Sequence, residues 1–307
     1  MILIYSKAID DFVNQVIDYL EEDFIRIGDI EEVKISNIEI FSTISSFKIS
    51  NAFFKNTNID NIKAIWFNGG YVCNKETEYE NDCYQMLVET FISNKKINKI
   101  GRLFGKFEIN KLDTIIQAKK EGFKIPDTLF TEEKEKLISF YNKYEAKFGI
   151  ICKRITDSYY YKYDDYTHNF NLTFSIDNQI LKDIPENFAI SMFQERILAD
   201  FEIRVIYVKG NIYAMSIHSF DDKIDYKSDI FTDRIRTITF KLPIDIEKKM
   251  INVFKKFNLN YGSADLMFYN NEYYFLEINP TGQISFVNEA CNFKIEKKVA
   301  KLLINEK

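Results

Sequence analysis

Cysteine and histidine, the residues of most structural metal sites, are scarce in this sequence. Its 307 residues include four cysteines and two histidines. The cysteines lie far apart and none has a CxxC spacing, which argues against a structural zinc site. They are Cys73, Cys83, Cys152 and Cys291. We expect reduced thiols, as in a cytoplasmic protein.

Long hydrophobic runs are also missing. No apolar stretch approaches the ~20 residues of a membrane-spanning helix. The apolar run at residues 1–5 soon meets Asp10 and Asp11, so it is too short for the apolar region of a signal peptide, and no small-residue cleavage site follows. The sequence therefore predicts a soluble cytoplasmic protein without a membrane partner.

Positive charge is not in excess either. The sequence has 41 Lys and Arg against 46 Asp and Glu, a net charge of -5, so no general basic character favours nucleic acid as a partner. Hydrophobic residues make up 46% and charged residues 28%, which is typical of a globular enzyme. A chain of this length suits two or three subdomains around a shared cleft.

Alternating strand and helix patterns predict an N-terminal α/β domain over residues 1–109. Buried strands are expected at 2–6 and 62–67, an amphipathic helix at 11–22, and a further helix around 80–94.

A second unit is predicted over residues 110–307, with a central subdomain at about 110–193 and a C-terminal subdomain at about 194–307. Its predicted helices cover 111–121, 132–148 and 243–257, and a terminal helix follows. Its predicted strands cover 150–153, 189–195, 203–209, 211–217, 264–269 and 272–278. We expect a loop or ragged hairpin at 158–168 and a polar loop at 221–234.

The strongest chemical signal lies in the last predicted hairpin. Glu277 and Asn279 are two residues apart on one strand, so their side chains point the same way. Asp265 is on the preceding strand and should lie beside them. Carboxylate and amide oxygens suit Mg²⁺ when phosphate oxygens complete its coordination shell. The alternative is a polar strand end followed by a turn.

Three further signals are weak individually. Gln194 and Glu195 end an apolar strand, a natural place to contact a base. Arg204 has a planar fork that matches phosphate oxygens. Lys153 follows a buried strand and Lys111 opens a helix, so either could meet an anion, although each could equally be solvated.

Taken in order along the chain, these residues follow the succession of an ATP-grasp enzyme. Residues 110–298 resemble the ATP-grasp domain. Three phrases resemble the peptide maturases of the graspetide type, which include the microviridin ligases: Asn110-Lys111-Leu112, residues 122–128 and residues 277–283. The strand around Trp66 and the segment at 291–293 fit the same group.

The resemblance implies an α/β (α+β) ATP-grasp fold with an N-terminal α/β subdomain, a central subdomain and a C-terminal antiparallel-sheet subdomain. It also implies ATP and Mg²⁺ as cofactors. The implied nucleotide contacts are Lys111, Lys153, Gln194, Glu195 and Arg204. Among these, Arg204 and Lys153 would be catalytic. The implied metal ligands are Asp265, Glu277 and Asn279.

Family members activate Asp or Glu side chains of a ribosomal precursor peptide as acyl phosphates. A Ser or Thr hydroxyl or a Lys amine then forms an ester or amide cross-link. Catalysis of this kind depends on positioning and on neutralising charge, so no covalent enzyme nucleophile is required. The implied partner is a precursor peptide with a leader segment, and some members are homodimers.

The sequence departs from the family pattern at three places. The loop after Lys153 has no glycine, whereas many ATP-grasp enzymes cover the phosphates with a glycine-rich loop. Residues 67–68 are Phe-Asn where members often carry two arginines. Residues 225–227 resemble an Asp-aromatic-Arg element with lysine in place of arginine. The substrate-side candidates are Asp225, Lys227, Arg234 and Arg236.

Two other functions stay open at this point. An ATP-grasp ligase that adds free amino acids to a peptide or protein end would share every nucleotide-site residue. A non-catalytic peptide-binding homologue would keep the fold without turnover, and the glycine-free loop is the feature that favours it.

Overall fold

The fold is given by a computed structural model. It describes residues 1–28, 33–40, 45–51, 54–70, 77–104, 108–156, 160–163, 166–169, 173–219 and 235–304. Within these ranges, no helix combines the length and the apolar character needed to cross a membrane. The predicted loop at 221–234 lies outside the described residues, and so does the glycine-free segment 157–159.

Strands and helices alternate along the described chain. The strands are β1 (Ile2–Ser6), β2 (Phe24–Ile27), β3 (Lys34–Ile40), β4 (Ser45–Ser50), β5 (Thr57–Asn58), β6 (Ala64–Asn68), β7 (Asn98–Ile100), β8 (Thr128–Glu133), β9 (Ile150–Lys153), β10 (Tyr160–Tyr163), β11 (Tyr166–Asn169), β12 (Phe174–Ile176), β13 (Asn187–Glu195), β14 (Phe201–Val208), β15 (Asn211–Ser219), β16 (Ile235–Phe240), β17 (Tyr261–Tyr269) and β18 (Glu272–Asn279). The helices are α1 (Asp11–Ile17), α2 (Glu78–Asn94), α3 (Lys111–Lys120), α4 (Lys134–Tyr144), α5 (Asn178–Asp183), α6 (Ile244–Lys256), α7 (Ser285–Cys291) and α8 (Ile295–Leu303), with a 3₁₀ helix at Ile59–Asn61.

The N-terminal sheet is parallel and has the order β2-β1-β6-β7. The two predicted strands and two predicted helices of this region are present. Helix α1 is shorter than predicted, because it ends at Ile17 and the next residues form turns. The antiparallel strands β3, β4 and β5 were not predicted. Strand β3 is largely exposed or half-buried, so it lacks the apolar alternation that marks a strand.

The central sheet is antiparallel and has the order β12-β9-β13-β8. Helix α4 packs on it through buried residues such as Leu137 and Tyr144. The predicted helix at 132–148 was too long, because residues up to Glu133 belong to β8, which pairs with β13. A loop or ragged hairpin was predicted at 158–168, and the described residues of this segment form the antiparallel pair β10 and β11.

The C-terminal sheet is fully antiparallel and has the order β16-β15-β14-β17-β18. Its two predicted tight hairpins are confirmed. Lys209 and Gly210 have φ of 43° and 92°, and Asn270 and Asn271 have φ of 49° and 61°. Positive φ at both central residues gives the turn whose twist matches two antiparallel strands.

A shared hydrophobic core joins the N-terminal and C-terminal sheets. Trp66 of β6 packs edge-on against Tyr261 of β17, with ring centroids 6.1 Å apart. Helices α7 and α8 close this core, where a single terminal helix was predicted. They separate at Asn292 and Lys294, which have left-handed φ of 52° and 58°. The core brings the end of β6 close to the start of β17.

Candidate functional site

A cleft lies between the central and C-terminal sheets, where the chain passes from β13 to β14. Its polar lining includes Lys153, Gln194, Glu195, Asp200 and Glu202. Its apolar lining includes Ile151, Leu198, Phe201, Met267 and Leu276. Apolar walls with a few polar groups are the usual lining of a small-molecule site. Three of the predicted nucleotide residues therefore face one cleft.

Gln194 and Glu195 are both fixed by the chain that enters β8. Gln194 is buried, and its Nε2 donates to Thr128 Oγ1 over 3.0 Å. Glu195 makes a reciprocal contact with Asp127: its backbone N–H donates to the Asp127 carbonyl, and its Oε1 accepts from the Asp127 N–H, both over 2.9 Å. The Glu195 carboxylate thus positions the backbone at the rim of the cleft.

Asp127 makes side-chain contacts that the sequence did not reveal. Its carboxylate accepts hydrogen bonds from Lys143 Nζ, over 2.8 Å, and from the Tyr144 hydroxyl. Lys143 and then Tyr144 lower the pKa of Asp127. Both partners lie on α4, so the contact ties that helix to the Glu195 rim. The sequence predicts the helix that carries both partners, but not its contact with Asp127.

The three predicted metal ligands lie together on β17 and β18. Asp265 and Glu277 face each other across the ladder, and Asn279 Nδ2 is 3.5 Å from Asp265 Oδ2. The register shifts after Asp265, so that Leu266 pairs with Phe275. This irregularity leaves Leu276 out of the ladder, and Leu276 lines the cleft.

Two cations accompany these carboxylates. Arg204 is 2% exposed, and its Nη1 lies 2.8 Å from both Asp265 oxygens. Its Nη2 donates to the Gly282 carbonyl over 3.2 Å and to Gln283 Oε1 over 3.1 Å. Lys111 Nζ lies 3.7 Å from Glu277 Oε2 and donates to the Arg154 carbonyl over 3.1 Å. The cluster therefore contains two carboxylates and two cations, so each charge has a partner of opposite sign, which offsets the cost of removing it from water.

Lys153 and Arg236 are the remaining predicted residues that the structure describes. Lys153 ends β9 and lines the cleft. Arg236 is exposed on the edge strand β16, opposite His218. Burial lowers the pKa of His218, and the charge of Arg236 lowers it further. The substrate candidates Asp225, Lys227 and Arg234 lie outside the described residues. Residues 67–68 are buried, so neither side chain offers a surface to a peptide.

The donor set of the cluster fits a magnesium ion. Asp265, Glu277 and Asn279 carry side-chain oxygens, and Mg²⁺ prefers one or two carboxylates completed by phosphate oxygens and water. Each Asp265 oxygen accepts from Arg204 and has a second lone pair. In the described part of the chain, no three His, Cys, Asp or Glu side chains form a group that could hold a metal ion by themselves.

No protein-family model matches the sequence. No curated protein matches it. Solved structures do match in three dimensions. A RiPP-associated ATP-grasp ligase from Chryseobacterium gregarium, in complex with ADP and a leader and core peptide, has a TM-score of 0.84 at 21% identity, over 99% of this chain and 96% of that one.

The chain has the ATP-grasp fold.

Two further structures extend the comparison. The macrocyclase MdnC from Microcystis aeruginosa MRC, bound with precursor peptide MdnA, has a TM-score of 0.81 at 22% identity and covers 99% of both chains. The ATP-grasp ligase PsnB, complexed with minimal precursor, Mg and ADP, has a TM-score of 0.73 at 15% identity, over 99% of this chain and 96% of that one. These ATP-grasp neighbours match the chain from the N-terminal sheet to the C-terminal sheet, so the similarity is not limited to the cleft.

Proposed function

We propose that this protein is an ATP-dependent carboxylate ligase that cross-links a ribosomal precursor peptide. The observation that supports it most is that one ATP-grasp fold carries both a cleft between two sheets and a cluster of carboxylates and cations. The cleft holds Gln194 and Glu195, and the cluster holds Arg204, Asp265 and Glu277. We also propose that residues 1–109 form an N-terminal domain and residues 110–307 the ATP-grasp domain.

The proposed nucleotide site uses the whole cleft. The base would lie among the apolar side chains near Gln194 and Glu195, and Lys111 and Lys153 would contact the phosphates. Asp265, Glu277 and Asn279 would hold Mg²⁺, whose charge offsets that of the transferred phosphate when it is bound. Arg204 would face the same phosphate, and it also holds Asp265 in place.

The proposed reaction has two steps. A peptide carboxylate oxygen attacks the γ-phosphorus of ATP, the bond to the β-phosphate oxygen breaks, and ADP leaves. A Ser or Thr hydroxyl or a Lys amine of the same peptide then attacks the acyl carbon, loses its proton to solvent, and releases phosphate. Lys111, Lys153 and Arg204 would contribute by placing positive charge near the phosphates.

The peptide partner is proposed from the neighbours. The ligase from C. gregarium was solved with a leader and core peptide, and MdnC with a precursor peptide. We therefore propose a precursor peptide with a leader segment as substrate, and a cytoplasmic location, where ATP is supplied. A homodimer is not part of the proposal.

Mass spectrometry of a precursor peptide tests the proposal. A candidate precursor peptide from a neighbouring gene is incubated with the protein, ATP and Mg²⁺. Loss of one water mass per linkage, absent with Glu277→Ala, is the expected result. A mass gain equal to an added amino acid would instead indicate a terminal ligase. An unchanged mass without ADP formation would contradict any ligase function.

A further inference from the structure

A buried polar chain connects the N-terminal sheet to the cluster. It begins at Asn68, the last residue of β6, which is 6% exposed. Asn68 Nδ2 donates to Asp10 Oδ2 over 3.0 Å, and Asn68 Oδ1 accepts from the Tyr261 hydroxyl over 2.7 Å. This orientation of the amide follows from its neighbours, because an ionised carboxylate can only accept and must therefore face the NH₂ group.

Both partners of Asn68 are themselves held in place. Asp10 is the N-cap of α1, and its other oxygen accepts from the Val13 backbone N–H over 3.0 Å. Tyr261 is completely buried, with its ring edge-on to Trp66. Burial raises the pKa of Tyr261 well above its ordinary value, and nearby Asp10 adds to the effect. The hydroxyl therefore stays protonated and keeps donating to Asn68.

The backbone around Asn68 leaves little room for change. Gly69 and Gly70 follow with φ of 80° and 91°. A Cβ on Gly70 would lie 2.4 Å from the Ser6 carbonyl oxygen, so only glycine fits there. A Cβ on Gly69 would lie 3.7 Å from Thr281 Cγ2. The turn after β6 is thus packed against the turn at residues 280–282.

Tyr261 touches that second turn from the other side. A Cβ on Gly282 would lie 3.0 Å from the Tyr261 hydroxyl and 3.1 Å from its ring, so the tyrosine lies directly against Gly282. The Gly282 carbonyl in turn accepts from Arg204 Nη2, and Arg204 Nη1 holds both oxygens of Asp265. Contacts therefore run without interruption from α1 to the proposed metal ligand.

We infer that Asn68 is a positioning residue, which acts through Tyr261 and the 280–282 turn to set the Arg204–Asp265 pair. The inference rests on the proposed nucleotide and Mg²⁺ site. It gives the N-terminal sheet a part in the chemistry that is separate from any contact with substrate. It also accounts for Asn68 itself, since a buried amide between a carboxylate and a hydroxyl can satisfy both, whereas an arginine there would need a different set of partners.

The test compares two asparagines that both join the N-terminal and C-terminal sheets. Asn260 accepts from the Gly101 N–H over 2.7 Å and donates to the Lys99 carbonyl over 2.9 Å. These two side-chain bonds lead to the end of β7 and not to the 280–282 turn or Arg204. Binding of ADP is measured by calorimetry over a series of Mg²⁺ concentrations for wild type, Asn68→Ala, Tyr261→Phe and Asn260→Ala. Thermal unfolding is recorded for each variant.

Asn68→Ala and Tyr261→Phe are expected to raise the half-saturating Mg²⁺ concentration about tenfold, as loss of groups behind a metal ligand usually does. Asn260→Ala should lower thermal stability without that shift. Tyr261→Phe keeps the aromatic ring and removes only the hydroxyl, so it still tests the inference if Asn68→Ala does not fold. An equal shift in Asn260→Ala, or none in the first two variants, would overturn the inference. If wild type binds no ADP at any Mg²⁺ concentration, the proposed function itself fails.

Discussion

The acid–cation cluster and the Glu195 rim of the cleft are built in opposite ways. In the cluster, the pair of Arg204 and Asp265 is buried: the two residues are 2% and 6% exposed. At the Glu195 rim, the Asp127 side chain is 54% exposed and its lysine partner 61%. The cluster is formed by side chains from strands that are far apart in the sequence. The rim is formed by a backbone contact between Glu195 and Asp127, which helix α4 reinforces.

This difference predicts how the cluster and the rim each respond to substitution. A buried charge that loses its partner is left in a low-dielectric interior, which is costly. An exposed charge that loses its partner is solvated by water, which costs little. We therefore expect substitutions in the cluster to affect stability and turnover strongly, and those at the rim to change nucleotide affinity or stability only slightly.

Arg204→Met should have the largest effect. It leaves the Asp265 carboxylate buried without its cation, so the free energy of unfolding should fall by about 3–5 kcal/mol. Urea denaturation followed by circular dichroism measures this. Arg236→Met is the matched control, because Arg236 is exposed on the same sheet and should change stability by no more than about 0.5 kcal/mol. Similar losses in both variants would show that burial at Arg204 does not matter.

Glu277→Gln should separate turnover from stability within the cluster. It keeps the size of the side chain but removes its charge, so ADP formation should fall about 100-fold. This is the upper end of the loss that substitutions around a metal ion usually cause. The variant should remain folded, since Glu277 is only half-buried. Glu272→Gln on the same strand is the control, because its side chain is 54% exposed and pairs only loosely with Lys124. Normal ADP formation by Glu277→Gln would argue against a metal role.

The same comparison explains what the sequence could predict. Strand alternation places Glu277 and Asn279 on one face by a local rule. The tight Asn270-Asn271 turn alone would pair Asp265 with Leu276, and the register shift after Asp265, which the sequence does not reveal, brings Asp265 opposite Glu277. Pairing of Arg204 with Asp265 was not predicted, since it depends on the register between β14 and β17. Arg204 was expected to face phosphate, and the structure adds a second role as the counter-ion of Asp265.

Partners that come from distant parts of the chain were the hardest to predict. Asn68 and Tyr261 are separated by 193 residues, and Asp127 meets Tyr144 only because α4 packs on the central sheet. Strand β3 was missed because its exposed or half-buried residues carry no clear apolar alternation.

Glu195→Ala tests the rim with a moderate expected effect. The substitution removes the acceptor of the Asp127 N–H, a loss of about 1 kcal/mol. The KM for ATP should rise about fivefold while kcat stays within about twofold, since the contact is the same in the ground state and the transition state. Glu195→Gln keeps an oxygen acceptor and should change KM less. A fall in kcat as large as that of Glu277→Gln would contradict the expectation that the rim affects turnover less than the cluster does.

Asp127→Asn should have the smallest effect, and its pH dependence distinguishes a weak ion pair from none. Lys143 and Tyr144 lower the pKa of Asp127 below its ordinary 3.8 in the folded protein. The stabilisation is therefore fully present above the unfolded pKa and is lost as pH falls through the folded one. Because the pair is largely exposed, wild type should exceed Asp127→Asn by less than about 1 kcal/mol at pH 6, in urea denaturation. The difference should vanish once pH falls below the lowered pKa, whereas a difference that persists there would mean that the carboxylate charge is not what stabilises the rim.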